Sequence, residues 1–68
     1  GNLGEAIGAF QTALQANPRF SDAMLGMAEA YKSQSKNKDA VKWYGEYLKV
    51  NPDGEDAETA RLNIQALK

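Results

Sequence analysis

The sequence predicts an all-α protein, an antiparallel helix-turn-helix α-solenoid fragment of about four helices. Three observations carry that expectation. Two Asn-Pro pairs, Asn17-Pro18 and Asn51-Pro52, stand 34 residues apart, and a fixed period of roughly 20 to 50 residues is the signature of a stacked repeat. Apolar residues recur at the i, i+3, i+4 spacing of a helical face, segment after segment. No segment alternates apolar and polar residues with the period of two that a half-buried strand requires.

The first helix is predicted over residues 3–16, where Leu3, Ala6, Ile7, Phe10, Ala13 and Leu14 line one face. The second, over 21–34, takes Phe20, Met24, Met27, Ala28 and Tyr31 as its apolar stripe. The third, over 38–50, uses Ala40, Val41, Tyr44, Tyr47 and Leu48. The fourth, over 55–67, shows a sparser stripe of Ala57, Ala60, Ile64 and Leu67. Each proline bars continuation of the helix before it and pushes its asparagine out of the α region. Ser21 and Asn37 are the predicted N-caps of the second and third helices. Asp53 is that of the fourth, with Asp56 three residues on as in a capping box. Glu55, Asp56 and Glu58 suit the N-terminal dipole of that helix, and Lys68 its C-terminal end. Connections this short make consecutive helices antiparallel.

Overlaying the two halves sets Ala6 on Ala40, Leu14 on Leu48, Asn17 on Asn51 and Pro18 on Pro52. Glu5, Ile7 and Phe10 meet the related Asp39, Val41 and Tyr44. The coincidences fall on apolar positions and on the turn, where a repeat needs them.

Composition removes several function classes. The 68 residues carry a net charge of −1, which argues against a nucleic-acid footprint and a basic membrane-binding face. There is no cysteine and no histidine, hence no disulfide framework, no thiolate metal site and no imidazole base. No apolar run reaches the roughly 20 residues that span a bilayer, so membrane insertion is not expected. The chain starts at Gly1 without methionine and reads as a segment of something longer. A domain this small buries only about 60% of its unfolded surface and leans on neighbours for stability.

At this point the residues resemble a tetratricopeptide repeat, a helix-turn-helix unit of the same period. Met24, Met27, Ala28 and Tyr31 hold that family's large, apolar, small and tyrosine places along the first helix of a repeat. Ala40, Tyr44 and Pro52 hold the alanine, aromatic and closing proline of the second, and Tyr47 is larger than the usual alanine. The preceding half-repeat fits too, through Gly1, Ala6, Phe10, Ala13 and Pro18. Met24 replaces the usual tryptophan, Ser35 replaces the turn glycine, and the last helix fits the register poorly. The resemblance, taken over residues 1–52, implies the second helix of a truncated repeat (1–18), one full repeat (19–52) and a capping helix (53–68).

The resemblance also implies a function: a protein–protein interaction scaffold, without catalysis or cofactor, whose first helices line a concave groove. By position the groove residues are Asp22, Leu25, Gly26, Glu29 and Lys32, extended by Asp56, Thr59 and Asn63. Its acids favour a neutral or basic segment of a partner protein. Members that grip chaperone C-terminal carboxylates use a lysine, asparagine and arginine clamp. Leu25 and Glu29 occupy two of its places here, so that ligand is not expected. The alternative is a structural cap or self-assembly segment of a longer solenoid. The helix that would cover Leu3, Phe10 and Ala13 is missing from the sequence, so a homo-oligomer through the first helix is expected of the isolated chain.

Blander readings stand beside these. Asp53, Glu55, Asp56 and Glu58 lack the ligand spacing of a calcium loop and are read as capping charge. Lys36, Lys38, Lys42 and Lys49 make residues 35–52 locally +2 after Asp39 and Glu46, against −2 in residues 53–68; a solvated face is preferred to a phosphate contact. Trp43 either packs against the last helix near Leu62 or Ile64, the preferred reading, or is an exposed partner contact. Met24 and Met27 are read as core. Gly26 permits close approach either of a peptide or of a neighbouring helix.

Overall fold

The computed structural model describes residues 3–68 and, for side chains, residues 4–68. Gly1, placed in the half-repeat by sequence, and the side chain of Leu3, named for self-association, lie outside that range. Among the described residues all regular structure is helical: α1 (Leu3–Ala16), α2 (Ser21–Ser33), α3 (Asn37–Val50) and α4 (Ala57–Leu67). Each helix packs on its neighbours in sequence, α1 on α2, α2 on α3 and α3 on α4. The Nδ2 of Asn51, past the end of α3, donates to Ser21 Oγ at the start of α2 over 2.9 Å, as antiparallel neighbours allow. The predicted helices are all present.

The predicted caps are not. The residues at the cap positions of α2, α3 and α4 are Phe20, Lys36 and Asp56, and none makes a side-chain capping hydrogen bond. Ser21 and Asn37 are instead the first residues of their helices. The fourth helix begins two residues later than its apolar spacing suggests, because residues 51–57 form two successive turns. Gly54 N–H donates to the Asn51 carbonyl at 3.2 Å and Ala57 N–H to the Gly54 carbonyl at 3.1 Å. Asp53 therefore lies inside a turn. Phe20, assigned to the inner stripe of α2, precedes the helix and is 40% exposed.

The buried cluster joins Met24 and Ala28 of α2, Ala40, Tyr44 and Tyr47 of α3, and Ala60 of α4. Alanines at these crossings let the helix axes approach, and the tyrosine rings fill the space between them. Two glycines set close contacts. A Cβ at Gly26 would collide with the Cζ and Cε atoms of Phe10, so the ring of α1 rests where α2 has no side chain. A Cβ at Gly54 would stand 3.0 Å from Tyr47 Oη, so this glycine makes room for a tyrosine where the repeat pattern has alanine.

The 34-residue register extends into α4. Ala57 and Ala60 follow Ala23 and Gly26 by one period, as Tyr44 follows Phe10. Ala57, Ala60 and Tyr44 are all buried. The other side of α4 differs. Where α2 turns Met24, Met27, Ala28 and Tyr31 toward the interior, α4 has Glu58, Arg61, Leu62 and Gln65. All four are exposed, Leu62 at 61%.

The α2–α3 turn ends in a Schellman motif. Lys36 N–H donates to the Tyr31 carbonyl at 2.9 Å and Ser35 N–H to the Lys32 carbonyl at 3.0 Å. The motif needs a left-handed residue, and Ser35 supplies it with φ 61°. A Cβ in that region is strained, which is why glycine usually sits there. Ser35→Gly is therefore expected to stabilise the fold by about 1 kcal/mol and to raise the melting temperature by roughly 4–8 °C. A lower melting temperature in a thermal scan would refute the strain.

Candidate partner-binding surface

Asp22, Leu25, Glu29 and Lys32 form a stripe along α2, since steps of three and four residues return to one helical face. Asp56, at the start of α4, is followed by Thr59 and Asn63 in the same rhythm. Both helices run antiparallel to α3, so they are parallel to each other. Asp22 and Asp56 consequently share one end of the surface. Lys32 is ten residues further along α2, about 15 Å away at the helical rise.

At that far end the two stripes meet. Lys32 Nζ donates to Asn63 Oδ1 at 2.8 Å, and Asn63 Nδ2 donates to the Thr59 carbonyl at 3.0 Å. The second bond orients the amide whose oxygen receives the lysine. Asp22, Glu29, Lys32, Asp56 and Thr59 are exposed, while Leu25 and Asn63 are half-buried. Gly26 belongs elsewhere: Phe10 occupies the space above it, so of its two sequence readings the neighbouring helix is the one observed.

No cation among the described residues comes within ion-pair distance of Asp22, Glu29 or Asp56. The pair found there is Lys49–Glu46 at 3.6 Å, one turn apart on α3.

Sequence reasoning missed Tyr44 here. It comes from α3 and is 1% exposed. Burial first, and the Glu29 carboxylate second, push its phenol above the usual tyrosine pKa. The fold thus prefers the neutral phenol. Its contribution is whole below about pH 10, the unfolded value, and is lost as pH rises through the higher folded value. Stability is expected to fall more steeply above pH 10 in the native chain than in Tyr44→Phe, with that pH reckoned from the ordinary tyrosine pKa of about 10. Denaturant midpoints for both proteins across that range check it, and parallel curves would refute it.

Trp43 packs against the buried cluster, which Ile64 also borders. Half-buried, it borders a shallow cleft of about 470 Å³ with Gln11, Leu14 and Gln15. Lys42 Nζ lies 5.3 Å from the centroid of its ring. The spacing could not reveal this, because a residue beside the main stripe of α3 reaches either neighbour.

Among the described residues no three acidic side chains gather as a metal site requires, and no helix is long and apolar enough to cross a membrane.

Antiparallel helices stacked in a 34-residue register, with alternate helices sharing one face, define a helical-repeat protein of the α-solenoid class. The sequence pattern of the tetratricopeptide repeat family matches residues 1–64, and the chain belongs to that family. The match takes in most of α4, beyond the stretch in which the two halves visibly resemble each other. No curated protein and no solved structure matches. Tetratricopeptide repeats serve in general as non-catalytic protein–protein interaction modules.

Proposed function

We propose that the chain is an interaction module whose α2–α4 surface takes a neutral or basic segment of a partner protein. The observation that carries this reading is the set of exposed carboxylates of Asp22, Glu29 and Asp56, unpaired among the described residues, on a face that the Lys32–Asn63 bond ties together. A basic segment gains Coulomb attraction there, and an acidic one is repelled. Leu25 supplies apolar contact between the charges.

The test is charge reversal. Glu29→Lys, alone and with Asp22→Lys, is expected to weaken a peptide selected from a neutral and basic library by about fivefold per site. The melting temperature should stay nearly unchanged, since both side chains are exposed. Should Lys42→Glu weaken binding more than Glu29→Lys, the binding face lies elsewhere.

A second reading is structural: α4 caps a solenoid, and α1 is the side through which the chain associates. The polar outer side of α4 supports the first half, because Glu58, Arg61 and Gln65 replace the apolar residues with which α2 holds α3. Half-buried Phe10 and Ala13 support the second, since their repeat equivalents Tyr44 and Tyr47 are buried.

A further inference from the structure

Where the start of α3 meets the end of α4, Asn37, Lys38, Val41, Leu67 and Lys68 enclose an open groove of about 530 Å³. Val41 and Leu67 are half-buried, and Leu67 borders the buried cluster, so the floor is apolar. Lys38 and Lys68, one from each helix, are exposed, and neither is ion-paired among the described residues. Asp39, the nearest acid in sequence, is not among the enclosing residues. The groove shares no residue with the α2–α4 surface and carries the opposite charge.

We propose that this groove seats an acidic amphipathic segment of a partner protein. An apolar side chain of that segment enters between Val41 and Leu67, and its flanking carboxylates meet Lys38 and Lys68. Burial of the anchor supplies affinity, since apolar area removed from water is favourable. The lysines supply selection, because a basic segment of the same shape meets two like charges. A second copy of this chain is a poor occupant. Its own acidic stretch runs from Asp53 to Glu58, and the apolar residue within it, Ala57, is buried at 2% exposure. That stretch has no free anchor to offer, and the exposed Phe20 and Leu62 each stand beside an arginine, Arg19 and Arg61. The inference does not depend on the α2–α4 reading, and the two select partners of opposite charge.

The test uses the full 68-residue chain, its C-terminus amidated so that no α-carboxylate offsets Lys68, and a fluorescently labelled peptide in which two leucines one helical turn apart are flanked by glutamates. A second peptide carries lysines in place of the glutamates. Anisotropy titrations are expected to show binding of the acidic peptide, weakened by added salt and by reversal of either groove lysine, whereas binding of the basic peptide at the α2–α4 surface is insensitive to those reversals. Lys38→Glu and Lys68→Glu should each weaken the acidic peptide by about fivefold, and together by about twentyfold or more. Glu29→Lys should leave it unchanged, which separates this groove from the α2–α4 surface. Both lysines are exposed, so the variants are expected to melt like the native chain. No binding of the acidic peptide, or indifference of that binding to both lysine reversals, would overturn the proposal. So would a dimer in sedimentation that Lys38→Glu dissociates, because a second copy would then be the occupant.

Discussion

Truncating Tyr44 to alanine is expected to remove about 3–5 kcal/mol of stability, the usual range for emptying a buried aromatic site. A domain of this size commonly has only about 3–10 kcal/mol in total, so the variant should be largely unfolded near physiological temperature. Truncating Phe10, which holds the equivalent place one period earlier, should cost markedly less, about 1–2 kcal/mol. The difference follows from coverage, not from residue type. Tyr44 is 1% exposed because α3 lies between α2 and α4, whereas Phe10 belongs to a helix that packs on α2 alone and stays half-buried. Urea melts of the two variants followed by circular dichroism decide the matter. Equal losses would mean that α1 is held as firmly as α3.

That asymmetry also explains what the sequence could and could not show. The helices and their order were legible because apolar spacing and two Asn-Pro pairs are local signals that packing only reinforces. The boundaries of α2 and α3 came within a residue. The start of α4 did not, because Gly54 shapes a double turn around Tyr47 Oη, a contact between residues that the apolar pattern treats separately. The caps failed for a related reason. Ser21, a good N-cap by type, is itself the first helical residue, and its oxygen accepts from Asn51, just past α3. Of the surface residues, Asp22, Glu29, Lys32, Asp56 and Thr59, placed there by the resemblance to the repeat family, are exposed. Helical phase could not tell that Phe10 would cover Gly26 or that Trp43 would border a cleft with α1 residues, since both depend on how α1 lies across the stack. The Lys38–Lys68 groove was invisible as well. Its lysines are 30 residues apart in sequence, and each looks like ordinary solvated charge until the helices bring them together.

At rising concentration the isolated chain is expected to self-associate through α1, and Ala13→Glu should return it to a monomer. The physical motive is one-sided cover. Ala6, Ile7, Phe10, Ala13 and Leu14 are all half-buried, and in a helical stack the missing cover is normally another helix face. Ala40 and Tyr47, which repeat Ala6 and Ala13, show what full cover does, for they are 0% and 3% exposed. A second molecule that lays its own α1 across this face would bury the same atoms with matching geometry. The association is expected to be weak, since the half-cover already given by α2 leaves less apolar area to gain than a bare helix would. Two other apolar side chains compete for the role, Phe20 and Leu62, both more exposed than the large apolar side chains described on α1, Ile7, Phe10 and Leu14. They stand singly among polar residues, and isolated apolar side chains are ordinary on protein surfaces. Leu62→Gln and Phe20→Gln should therefore leave the association intact. Sedimentation velocity over a hundredfold range of concentration separates the cases. If Leu62→Gln dissolves the oligomer and Ala13→Glu does not, the outer side of α4 is the sticky one, and the cap reading fails with it.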